Sequence, residues 1–164
     1  MEGAMTSFAK PLLFNSPLET GVRSVVLLDA ATPAAYDLTH LTWLDHLVVH
    51  THDLPNGPPS LHPDIPQRSG ELIVRRKNVE EGLKLMSHLH MVEARYADEG
   101  ILYAATEEAS LFVQLLRSSY GKGLKERANW LINYITNSDQ KFLTNLIQEK
   151  VGRWTIEFQS ENNT

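Results

Sequence analysis

The chain contains no cysteine. That excludes a disulfide framework, a thiol nucleophile, a thiolate zinc site and a cysteine-bound iron–sulfur cluster. It also lacks any apolar run near the ~20 residues that span a bilayer. Residues 1–10 have neither the basic start nor the apolar core of a signal peptide. The expected location is therefore the cytoplasm, with no membrane partner. Positive charge is in short supply: the formal net charge is -5. A dedicated nucleic-acid binder is usually basic over its contact face, so the balance argues against DNA as the main partner while leaving room for a local basic patch.

Catalytic signatures are missing as well. The sequence has no HExxH, no phosphate-binding GxxxxGK[ST], no GxGxxG and no GxSxG elbow. Gly121-Lys122-Gly123 is too short to count. The acidic pairs Glu80-Glu81, Asp98-Glu99 and Glu107-Glu108 fall at expected helix starts or a turn tip, where capping and solvation explain them. No catalytic residue, no metal and no cofactor is expected, and the chain is not read as an enzyme.

What is present suffices for folding. Hydrophobic residues make up 42% of the 164, enough for the core of one compact domain. Residues 1–13 read as a flexible lead-in. Ser16 and Glu19 form a capping box with Pro17 at the first helical position. The helix that follows places Leu18, Val22, Val25 and Val26 on one face and pairs Glu19 with Arg23. It ends at Thr32-Pro33. A second helix is expected from about Ala34 to His50, burying Leu38, Leu41, Leu44, Leu47 and Val48. Residues 51–69 hold five of the eight prolines and predict a loop without regular structure.

Gly70 to Val74 reads as a short strand or helical turn, and Asn78 as the cap of a third helix from about Val79 to Met91. Its inner face takes Val79, Leu83, Met86 and Leu89 or His90. Val92–Tyr96 and Ile101–Ala105 are strand-like, with the turn Ala97-Asp98-Glu99-Gly100 between them. Thr106 caps a helix with Phe112, Leu115 and Leu116 inward. Ser118 to Gly121 loosens its end, and another helix runs from Lys122 to Ile135. Phe142, Leu143, Leu146 and Ile147 stripe a further helix, and Arg153–Phe158 alternates like a strand or extended arm. The fold class is mainly α with a small β-hairpin. Two helices, a third, then a hairpin give a winged-helix layout over 14–117, and 118–164 forms a C-terminal helical extension.

Three sets of residues are candidates for function. His46 and His50 share a helical face, with Asp45, His52, Asp53 and His62 near in sequence. They either bind a metal or hydrogen-bond the proline-rich loop to the second helix. Arg68, Arg75, Arg76, Lys77 and Lys84, with Arg95 on the wing, form a candidate DNA or phosphate contact. Arg75 or Arg76 equally has Asp29 as an ion partner. Trp154, Ile156 and Phe158 form an alternating apolar set that either closes the core or adds to a partner's sheet.

Several blocks resemble a known family. Phe14-Asn15-Ser16-Pro17-Leu18-Glu19-Thr20-Gly21-Val22-Arg23, followed by Val26-Leu27-Leu28-Asp29-Ala30, resembles the opening of the middle-component proteins of ABC-type three-component conflict systems. Pro58-Pro59-Ser60-Leu61-His62-Pro63, Arg68-Ser69-Gly70-Glu71-Leu72 and Gly100–Thr106 resemble later blocks. The similarity covers about residues 14–136. It implies a bacterial anti-phage or anti-plasmid system of the Lamassu type. Such systems pair an SMC-like ABC ATPase with a middle subunit and an effector, often a nuclease. The implied role is a non-catalytic, kleisin-like connector that meets DNA through the complex, with Leu61 and His62 as docking candidates. The rival expectation is a winged-helix DNA-binding transcription regulator.

Overall fold

The computed structural model describes residues 16–63, 71–139 and 141–149. Helix α1 is Pro17–Ala31, and Ser16 caps it by accepting the Glu19 N–H at 3.2 Å. Thr32, ahead of proline, takes φ -47° and ψ 132°, outside the helical region. Leu18 is not on the inner face but 56% exposed. The inner face carries Thr20, Arg23, Ser24 and Leu27 with the two valines Val25 and Val26.

Helix α2 is Leu38–Val49, beginning later than expected because Asp37, not Ala34, supplies the cap to His40 N. It is buried on every side from Leu41 onward rather than along one stripe. A 3-10 turn, Thr51–Asp53, follows. The proline-rich segment therefore keeps one short regular turn ahead of Pro55, contrary to expectation.

Helix α3 is Glu71–His88, a single helix that passes through Asn78 rather than starting there. Arg75, Arg76 and Lys77 are thus helical. Leu89 and His90 lie beyond its end and are exposed. The hairpin pairs β1 (Val92–Ala97) with β2 (Gly100–Ala105), closing on Ala97↔Gly100. Asp98-Glu99 is the two-residue loop, and Gly100 takes φ 122°, which favours glycine. Tyr36, between α1 and α2, bridges Tyr103 of β2.

Helix α4 is Glu107–Gln114, and α5 is Ser119–Thr136. Thr106 occupies the N-cap of α4 without bonding the helix; its hydroxyl donates to His90 O at 2.6 Å. Leu115 is 70% exposed, and Ala109 and Val113 face inward instead. Ser118 does not loosen a helix end but caps α5, accepting Gly121 N at 3.0 Å. A last helix, α6, covers 142–149, with Leu143 and Ile147 buried as expected.

One core cluster runs from Val25 of α1 through α2 and α3 to Leu124 of α5 and Ile147 of α6. The closest approach is α1 on α3. A Cβ on Gly82 would lie 2.7 Å from Gly21 N and from Pro17 O, so only glycine permits this crossing. That proximity brings side chains of α1 and α3 together over α2.

Candidate functional site

Arg23 of α1, Asp45 of α2 and Arg75 of α3 form a buried ion triad. Arg23 Nε donates to Asp45 Oδ1 at 2.7 Å, and Arg23 Nη2 to Oδ2 at 3.3 Å. Arg75 Nη1 donates to the same Oδ2 and Nη2 reaches Glu71 Oε1 at 3.4 Å. The Asp45 side chain is 0% exposed and that of Arg23 1%. Arg23 therefore does not form the expected helical pair with Glu19, and Arg75 finds Asp45 rather than Asp29. Burial alone would raise the Asp45 pKa, but the Arg23 and Arg75 charges overcome it and hold the carboxylate below its usual range. Burial likewise opposes the Arg23 charge, and Asp45 with Tyr120 more than restores it. A cleft of about 50 Å³ beside the triad is bounded by Thr20, Glu71, Val74 and Asn78.

The network continues through Tyr120 of α5, which hydrogen-bonds Arg23 and sits 2.8 Å from His62 Nε2. A guanidinium can only donate, so the phenol oxygen accepts from Arg23. The surroundings of His62 favour its neutral form. Burial first, then the Arg23, His50 and Arg75 charges, push its pKa down to about 4, against a small opposing pull from Asp45. Ring contacts continue from His62: His50 meets it edge-on at 6.3 Å, and His46 lies tilted at 4.7 Å from His50.

These contacts fasten the proline-rich segment. His62 N donates to Val49 O at 3.1 Å, and Thr51 Oγ1 donates to Pro58 O at 2.9 Å. Arg127 of α5 donates to Pro59 O at 2.7 Å. Leu61 packs beside Gly123, where an added Cβ would meet it at 3.0 Å. Pro58–Pro63 is thus laid along α5 instead of hanging free.

Leu61 and His62 come together at this seam, and His46 and His50 join them as ring neighbours. Among the described residues no group of three or more His, Cys, Asp or Glu is placed to hold a metal ion. The basic candidates disperse. Arg75 turns inward, whereas Arg76 is exposed and donates to Thr39 Oγ1 at 2.8 Å. Lys77 is exposed. Lys84 lies 4.0 Å from Glu80, and Arg95 pairs with Glu93 at 2.8 Å. Arg68, Trp154, Ile156 and Phe158 lie outside the described residues.

Arg23 and Tyr120 were not among the sequence candidates, and Asp45 was named there only as a neighbour of the histidine set. The one local hint is apolar context: Asp45 stands among Trp43, Leu44, Leu47 and Val48, where an unpaired carboxylate would be expensive. Three of the family-like blocks contribute Arg23, His62 and Glu71 to this single network.

Among the described residues, no helix is long and apolar enough to cross a membrane. Residues 13–157 match the family described as ABC-three component (ABC-3C) system Middle Component 2. No curated protein and no solved structure matches the chain.

Proposed function

The chain belongs to the ABC-three component system Middle Component 2 family, and from that premise we propose that it is a non-catalytic connector. It joins an SMC-like ABC ATPase to an effector nuclease in a bacterial defence complex of the Lamassu type. ATP hydrolysis and nucleic-acid cleavage belong to the partners.

The observation that carries this reading is the fastening of Pro58–Pro63 to α5. Arg23, Asp45, Arg75, Tyr120 and His62 bond to one another, which holds an otherwise irregular segment in one shape. A segment held so, with the His62 N–H and the Pro58 and Pro59 carbonyls bonded to the rest of the fold, suits a preformed docking platform. The order α1, Tyr36 bridge, α2, α3, β1, β2 supports a winged-helix, kleisin-like core, since Tyr36 takes the place of the short strand beside the wing.

The rival reading, direct DNA recognition, draws on Arg76, Lys77 and Lys84 along α3. Glu80 and Glu81 interleave with them and Arg95 is paired with Glu93, so that face is mixed in charge. A phosphate-tracking surface is more uniformly positive.

The deciding test is purification of the tagged chain from its host with identification of what accompanies it. The expected result is a large SMC-like ATPase and an effector, both reduced when Leu61 and His62 are replaced by Ala. Nuclease activity in the pure chain would overturn the proposal, as would a chain that purifies alone.

A further inference from the structure

Alternate residues of a strand share a face. The register Ala94↔Tyr103 and Tyr96↔Ile101 therefore gathers four apolar or aromatic side chains on one side of the hairpin. They form one wall of a groove of about 390 Å³, and α3 supplies the other at Lys84, Ser87 and His88. Tyr96 is 84% exposed and Ile101 43%.

The backbone beside this groove is open. In an antiparallel ladder, residues of a non-hydrogen-bonded pair direct N–H and C=O away from each other's strand. Tyr103 reveals the phase, because its N–H and C=O bond outward to Tyr36 at 2.8 and 3.0 Å. Its partner Ala94 therefore directs both groups outward on the far edge, as does Tyr96. Among the described residues nothing pairs with that edge. It also lacks the usual guards of an edge strand, proline or an inward charge. Its two charges, Glu93 and Arg95, lie on the opposite face and pair with each other.

Charge adds a third constraint. The groove lining holds one ammonium and one imidazole but no carboxylate. Glu80, one turn earlier on α3, is at the outer limit of an ion pair with Lys84, 4.0 Å away.

We propose that the β1 edge and this groove dock an extended, acidic and apolar segment of a partner protein, which adds as a strand beside β1. Main-chain bonds to Ala94 and Tyr96 supply the register. An apolar side chain enters between Tyr96, Ile101 and α3, and a carboxylate meets Lys84. This rests on the connector reading only in requiring that a partner subunit binds; the surface is separate from the Pro58–Pro63 platform.

The test uses the full chain co-expressed with the other components of its system. Amide exchange is measured free and in the complex, with Ala94→Pro and Lys84→Glu as variants. Proline at 94 removes an outward N–H and leaves the hairpin bonds intact. The expected result is about tenfold slower exchange at Ala94 and Tyr96 in the complex, and about tenfold less recovered partner with either variant at unchanged melting temperature. An intact complex in which these amides exchange as in the free chain overturns this proposal and leaves the connector reading standing. Failure of the wild-type chain to form any complex overturns both. Protection in the free chain that disappears on dilution assigns the groove to a second copy, and protection lost on truncation after residue 149 assigns it to the chain's own end. Protection conferred by a short DNA duplex assigns it to nucleic acid. Each of these three results also overturns the proposal.

Discussion

Arg23 and Asp45 stand 22 residues apart in sequence and meet at 2.7 Å with almost no solvent access. Each would be intolerable alone in that position. Together with Arg75 they join three helices at the point where the proline-rich segment returns to the core.

Removing the shared anion takes the buried Arg23 guanidinium's carboxylate away in a dry setting and leaves Arg75 with only its longer Glu71 contact. Asp45→Ala is expected to destabilise the fold by about 3–5 kcal/mol. Glu71→Ala, which loses a longer and partly exposed contact with Arg75, is expected to cost less than about 1 kcal/mol. Urea midpoints of the two variants measure the contrast, and equal shifts would show that the triad does not dominate.

Acid should loosen the loop seam before it unfolds the helices. His62 titrates near 6.5 when unfolded and at about 4 when folded. Between those values the unfolded chain binds the extra proton, so its stabilising contribution is complete above about pH 6.5 and lost as the pH falls to about 4. Asp45, depressed by its two arginines, adds a second loss only at lower pH. Urea midpoints against pH should fall through this window in the wild type and flatten in His62→Gln.

Tyr120→Phe removes one hydroxyl that serves both Arg23 and His62. The expected cost is about 1–3 kcal/mol, because buried partners are left unsatisfied. Amide exchange at His62, whose N–H bonds Val49 O, should accelerate more than exchange within α3. Uniform acceleration would instead assign Tyr120 a general stabilising role.

The α1–α3 crossing depends on an absent side chain. Gly82→Ala is expected to destabilise by about 1–3 kcal/mol through overpacking, since the obstructing atoms are backbone of Gly21 and Pro17. Alanine is the better helix former, so a neutral or stabilised melting temperature would show that the helices separate freely.

Signals read along the chain set its local punctuation. Ser16 and Pro17 start α1, Thr32 ends it, Asp98-Glu99 turns the hairpin, and the apolar stripe of Leu124, Ala128, Leu131 and Ile132 turns α5 inward. Such signals act within about four residues, the range of a cap or a helical turn. Tertiary structure alone decided that Arg23 passes over Glu19 for Asp45, that Arg75 turns inward while Arg76 stays outside, and that His62 crosses 58 residues to reach Tyr120. A buried charge chooses its partner by which elements pack around it, and no periodicity along the chain records that choice.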